Sequence, residues 1–509
     1  MPQVKPNFLV IVADDMGFSD AGCYGGEIET PNLDRLAGGG VRFTQTYSTG
    51  RCWPSRACIL TGHYPQQIRM DPPRGRIPSW ARVLPHYLKP QGYHCYHSGK
   101  WHLFGAPKAV ADGGFDRSYL IHDQDRYFSP QALEEDDTPL PAVDRESGFY
   151  ATTEIGRRGA AYLARHAEEH GDDPFCLYLA FTAPHFPLHA LQEDIDLYRD
   201  RYRAGWDRIR EARWNRMREQ GIVTCELSPL DPETVPDWNL SEPELQDRIG
   251  DGEAGRALPW EQLSAGQQEF QATKMAVHAA MIHRMDTEIG RVLDQLRTMG
   301  AEDNTLVLFV SDNGASAEQI IRGDMHDQRA APGSADSYLC LGPGWSTAAN
   351  TPFRLHKSWV HEGGVSSPLI ARWPAGIRDG GGLRHTPSHF IDILPTLLEL
   401  AGVDPDACGH GPAAPPLPGR SLVPAFAHDT HIPHPYLFFH HNRNRALRVG
   451  DSKLVAKGAD GPWELYDLSC DRAETQDLAA AHPERVAELA ARWQELEDEF
   501  RTQAGPAPD

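Results

Sequence analysis

The feature that most constrains this chain is a set of unbroken apolar runs, each ending abruptly in polar residues. Phe8-Leu9-Val10-Ile11-Val12-Ala13 stops at Asp14-Asp15. Phe175-Cys176-Leu177-Tyr178-Leu179-Ala180-Phe181 leads to Thr182-Ala183-Pro184-His185, and Thr305-Leu306-Val307-Leu308-Phe309-Val310 gives way to Ser311-Asp312-Asn313-Gly314. A strand with no polar side has no face to offer water, so it must be covered above and below. Val41–Tyr47, Tyr93–His97 and Pro368–Trp373 read as further strands. Between them lie helical patterns. Thr30 and Pro31 start a short helix, apolar residues recur at helical spacing from Thr273 to Met299 before Gly300, and Ile391–Ala401 is a third. Helices alternating with buried strands predict an α/β fold, a large mixed, mostly parallel sheet sandwiched by helices.

Residues 1–405 are expected to form this α/β domain, with an insertion at about 187–265 that is charged, aromatic and punctuated by proline. The insertion carries a helical stretch around Ile195–Gln220. Residues 406–435, rich in Pro, Gly and Ala, read as a linker, and 436–509 as a small C-terminal α+β domain. In the latter, Arg445–Val455 and Trp463–Leu468 read as strands and Pro483–Phe500 as a helix. A net charge of −22 argues against nucleic acid or an anionic membrane as partner. No run approaches the roughly 20 apolar residues of a membrane span. No leader is visible, which predicts a cytoplasmic protein as given, or a periplasmic one if a leader has been removed. Nine scattered cysteines without a C-x-x-C pair are neither a disulfide framework nor a zinc site.

Ligands of open α/β sheets bind beyond the carboxyl ends of the strands, so Asp14-Asp15, Lys100/His102, His185 and Asp312-Asn313 are expected in one cleft. Asp14, Asp15, Asp312 and Asn313 offer only oxygen, which suits a hard divalent cation, Ca²⁺ more than Mg²⁺. Arg56, Lys100 and Lys357 are fixed cations, and His102 and His185 can donate hydrogen bonds or move protons. The stretch Arg51-Cys52-Trp53-Pro54-Ser55-Arg56-Ala57-Cys58-Ile59-Leu60-Thr61-Gly62 completes the set. Pro54 suits a first helical position and Thr61-Gly62 an end, which places Cys52 just before a helix N-terminus. A cysteine, a helix N-terminus and an arginine together describe a site for a reacting oxyanion.

Cys52-x-Pro54-Ser55-Arg56 with Leu60-Thr61-Gly62 resembles the signature of the type I sulfatases, formylglycine-dependent enzymes of the alkaline phosphatase superfamily. The likeness to bacterial arylsulfatases extends to Asp286-x-Glu288-Ile289-Gly290-Arg291, Pro343-Gly344-Trp345, Asn350-Thr351-Pro352-Phe353-Arg354 and Glu464-Leu465-Tyr466-Asp467-Leu468. It implies that a formylglycine-generating enzyme converts Cys52 to Cα-formylglycine, whose hydrate is the nucleophile. It further implies that Asp14, Asp15, Asp312 and Asn313 bind calcium together with an oxygen at position 52. Arg56 would steady the hydrate, while Lys100, His102, His185 and Lys357 would bind sulfate and serve acid/base roles. The implied substrate is an aryl, small organic or saccharide sulfate ester. Ser366 departs from the pattern, because many relatives carry a basic residue there. Two other readings stay open: a phosphonate monoester or phosphodiester hydrolase on the same scaffold, and a non-catalytic oxyanion-binding protein with an unmodified cysteine. Asn313, where related zinc phosphatases usually offer histidine, speaks against a two-zinc phosphatase.

Overall fold

The computed structural model describes residues 5–72, 75–378, 380–404 and 414–506. Eleven strands form the main sheet: β1 (Asn7–Ala13), β2 (Val41–Tyr47), β3 (His94–Gly99), β4 (Arg117–Ile121), β5 (Leu133–Glu135), β6 (Thr138–Leu140), β7 (Phe175–Ala180), β8 (Thr305–Ser311), β9 (Ser366–Arg372), β10 (Gly382–Arg384) and β11 (Ser388–His389). Their order is β10-β2-β9-β8-β1-β7-β3-β4-β5-β6, with β11 beside β2. The central strands β8, β1, β7, β3 and β4 run parallel, whereas β9 is antiparallel to both β8 and β2. The sheet is therefore mixed with a parallel heart.

The unbroken apolar run of β1 has a direct physical reason. Leu9, Ile11 and Ala13 enter a core shared with the long helix Ala265–Thr298 and the helix Ala151–Glu169. Phe8, Val10 and Val12 enter a second core, with Ala57, Ile59 and Leu60 from the cysteine helix and Leu394 and Leu397 from Ile393–Ala401. Alternate side chains of a strand point to opposite faces, so two cores demand apolar residues at every position.

Several elements differ from the sequence expectation. The long helix begins at Ala265 rather than near Thr273, because Ser264 and Gln267 form a reciprocal cap over a polar first turn. The single stretch around 195–220 is two helices, Gln192–Asp196 and Gly205–Glu219, parted where Gly205 takes φ 83°. The run Arg445–Val455 is a hairpin, β13 (Asn444–Val449) and β14 (Ser452–Ala456), turning at Gly450 with φ 60°. With β12 (Leu437–His441) and β15 (Glu464–Asp467) it forms a four-stranded antiparallel sheet. The C-terminal helix Pro483–Ala504 packs on it, Trp493 stacking on Phe438 at 5.5 Å. Of the expected linker, 406–413 lies outside the described residues, and the remainder includes the short helix Val423–Ala427.

Candidate active site

Because β7, β1 and β8 are parallel neighbours in register, the loops leaving their carboxyl ends emerge side by side. The Asp15 N–H donates to Asp312 Oδ1 (3.3 Å), and Asn313 Nδ2 donates to Asp15 Oδ1 (2.7 Å). The Asp14 N–H donates to the Ala183 carbonyl beyond β7 (3.0 Å). Asp15 has φ 67°, an uncommon backbone state for a residue with a side chain, and these bonds hold it there. At Gly314 a Cβ would lie 1.9 Å from the Gly363 carbonyl, so Asp312-Asn313-Gly314 fits against Gly363-Gly364 only with glycine in that place.

Asp14, Asp15, Asp312 and Asn313 are all buried. Asp14 Oδ1 and Asn313 Oδ1 are buried acceptors with no hydrogen-bond partner, a costly state unless something positive meets them. Burial and the neighbouring Asp14 push the Asp312 carboxyl up to about 7. Burial works against ionising Asp14 too, yet Lys100 and Arg56 hold its carboxyl below the usual range. Three crowded carboxylates and an amide oxygen, two of their oxygens orphaned, fit a hard divalent cation. Asp14, Asp15 and His185 can also bring one ligand atom each within 4.8 Å of one another.

Cations surround this acidic centre. Arg56 is fully buried, its Nε 2.9 Å and its NH2 2.8 Å from Asp312 Oδ2, with NH1 donating to the Lys100 carbonyl (3.0 Å). Lys100 Nζ pairs with Asp14 Oδ2, and Lys357 Nζ with Asp15 Oδ2 at 2.7 Å. His185 places Nδ1 against the Phe186 carbonyl at 2.5 Å, and its Nε2 lies 3.8 Å from Asp15 Oδ2. A carbonyl can only accept, so Nδ1 carries the proton. Burial, then Lys357, drives the ring pKa far below 6.5, which leaves Nε2 as a lone pair facing the acids.

His102 stands slightly apart. It is half-buried with φ 56°, packs edge-on against Trp53 (5.8 Å between centroids), and keeps a buried Nδ1 without a partner. Burial and Lys100 hold it neutral as well. With Lys100 it lines a cavity of about 350 Å³ whose walls include Phe104 and Leu120.

The cysteine helix spans Cys52–Thr61 and ends at Gly62, whose φ is 71° and whose N–H donates to the Cys58 carbonyl (2.8 Å). It starts two residues before Pro54, so Cys52 is the first helical residue rather than the one preceding it. The side chain is 2% exposed. Burial raises the thiol pKa above 9, and Lys100 and Lys357 oppose that without reversing it. An unmodified Cys52 is thus a protonated, poorly nucleophilic thiol at neutral pH.

Every residue singled out from sequence therefore gathers around one centre, His102 at its edge. Sequence reasoning missed a second ring of groups. Arg51 donates from NH1 to Ser358 Oγ (2.7 Å) and pairs through NH2 with Glu318 (3.2 Å), and Glu318 lies 3.6 Å from Lys357 Nζ. Trp238, from the insertion, donates its indole N–H to Glu318 (2.9 Å). Arg51 was in plain view beside Cys52, but Glu318 and Trp238 carry no motif. At Ser366, the guanidinium of Arg472 approaches Oγ to 3.4 Å, so positive charge arrives there from the C-terminal segment.

A family profile described as "Sulfatase" matches residues 6–403, and one described as "N-sulphoglucosamine sulphohydrolase, C-terminal" matches 353–502. The chain is 32% identical to an uncharacterized sulfatase of Schizosaccharomyces pombe, over 99% of this chain and 95% of that one. It is 30% identical to the arylsulfatase of Klebsiella aerogenes (79% and 88%), and 26% to an N-acetylglucosamine-6-O-sulfatase of Bacteroides thetaiotaomicron (98% and 87%). Among solved structures, Ps i-CgsB superposes with a TM-score of 0.68 at 23% identity, over 98% of this chain and 94% of that one, a likeness of fold. Profile, relatives and site agree: the chain belongs to the type I, formylglycine-dependent sulfatases of the alkaline phosphatase superfamily.

Proposed function

We propose that this sulfuric ester hydrolase acts on an aryl or saccharide sulfate ester, and that the residues gathered around Cys52 divide the work as follows. Asp14, Asp15, Asp312 and Asn313 would hold a calcium ion, which supplies positive charge to the sulfuryl oxygens. Conversion of Cys52 to formylglycine would supply a hydrated aldehyde, with one hydroxyl to attack sulfur and a second to drive release of sulfate. Arg56 fixes the first turn of the cysteine helix against Asp312 and so orients position 52. Lys100 and Lys357 are the two cations that bear most on Cys52, and they meet the negative charge of the sulfuryl oxygens while more builds on the bridging oxygen as the S–O bond breaks. His185 is locked by the Phe186 carbonyl, and its Nε2 can accept a proton. His102 lies beside Lys100 on the cavity wall and offers the hydrogen bond to the departing oxygen; an arriving anion favours the proton on its ring.

The observation that carries this reading is the pair of orphaned buried oxygens, on Asp14 and Asn313, next to a cysteine flanked by two lysines. Paired rates on 4-nitrophenyl sulfate and a 4-nitrophenyl phosphonate monoester test it. Sulfate turnover should exceed phosphonate turnover and vanish in a folded Cys52→Ala variant. Faster phosphonate cleavage, or activity without Cys52, would overturn it.

A further inference from the structure

Trp238 stays 42% exposed, and among the described residues only Leu197 is another large hydrophobic side chain so open to water. A single exposed aromatic is ordinary. This one is fastened. Its indole N–H is spent on Glu318, and Asn239 beside it donates to the Ala317 carbonyl (3.0 Å) and accepts from the Gln319 N–H (2.9 Å). One face lies toward the Arg51 guanidinium, 6.0 Å from the ring centre, and the same guanidinium is 5.4 Å from the ring of Trp53. Arg51 and Trp53 are the residues on either side of Cys52. Trp238 is thus one guanidinium removed from the reacting position, on a rigid support, with surface left for a ligand.

We propose that Trp238 is the platform for the alcohol half of the substrate, and that the group lying on it is an uncharged ring with one apolar face. The proposal rests on the sulfate-ester reading above and adds a specificity-determining residue to it. The ring must be uncharged because the local charges are already paired: Arg51 is matched by Glu318, whose carboxyl Arg51 and Lys357 hold down against its burial. A second anion would meet that carboxylate, and a cation would meet Arg51. An aryl ring and the C–H face of a pyranose present the same stacking surface.

Calorimetric binding to the full-length, calcium-loaded Cys52→Ala protein tests this without depending on turnover. The ligands are 4-nitrophenyl sulfate, N-acetylglucosamine 6-sulfate and inorganic sulfate. Adding Trp238→Ala should weaken at least one of the two ring-bearing sulfates about tenfold and leave inorganic sulfate unchanged. Which ring responds names the source. Trp238→Phe, which keeps a ring but loses the bond to Glu318, should retain most of the affinity. Unchanged binding of both ring-bearing ligands would overturn the proposal. So would equal weakening of inorganic sulfate, because Trp238 would then act only through Glu318 and Lys357. Failure of the Trp238-intact protein to bind any sulfate would instead sink the functional reading itself.

Discussion

Lys100 shows how much a single side chain is asked to do. Its ammonium pairs with Asp14 and bears on Cys52. In water such a charge would be screened, but here it is buried and aimed at one place. Lys100→Ala should lower kcat on 4-nitrophenyl sulfate by on the order of 10²–10³, the scale for losing one preorganised donor. Initial rates at saturating substrate read this directly, and an undiminished kcat would remove Lys100 from the chemistry. The same residue shows what was legible beforehand. Asp14, Lys100, His185 and Asp312 each follow a strand, and a parallel sheet brings strand ends together whatever their separation in sequence. Glu318 lies further out on the loop after β8 with no motif to mark it, and Trp238 follows no strand at all. Their place is set by how the insertion lies over the loop after β8, which is decided by tertiary contacts alone.

Elements were readable where one physical rule dominated. The strands β1, β7 and β8 are apolar throughout because both faces are core, and Gly62 ends the cysteine helix because only the left-handed state closes it. The hairpin at 444–456 was missed as a turn because its two strands run together in composition, with only Gly450 to part them. The long helix shows a subtler failure. From Ala265 to Gln271 its pattern is polar, so apolar periodicity is silent and the cap alone starts the helix. That turn matters, since Gln271 and Lys274 both reach Glu253 and pin the insertion. Ser264→Ala should therefore cost about 1 kcal/mol in urea unfolding, the usual worth of such a cap. An unchanged midpoint would mean that packing against Glu253, not the cap, fixes the start of the helix.

At the scale of the whole molecule, the two sheets are joined by a buried charge cluster centred on Glu362. Its carboxylate accepts from Tyr47 of β2 (3.0 Å), Ser366 of β9 (3.2 Å), Lys453 of β14 (2.9 Å) and Arg472 (3.1 Å). Burial alone would raise this carboxyl above its ordinary 4.5, but Lys453, then Arg472 and Arg448, hold it down to about 2. A depressed folded-state value means the stabilisation is fully present above pH 4.5 and drains away as pH falls toward 2. Its size is about 3 kcal/mol by linkage. Glu362→Gln keeps the shape and removes the charge, leaving Arg472 without its carboxylate and Lys453 with Glu474 alone in a buried interface. The variant should unfold at lower urea concentration at pH 7, by about 3 kcal/mol, and the gap to the parent should close as both are titrated from pH 4.5 toward 2. A gap that stayed constant across that range would show that Glu362 acts as a hydrogen-bonding shape rather than as the charge that ties the C-terminal sheet to the catalytic one.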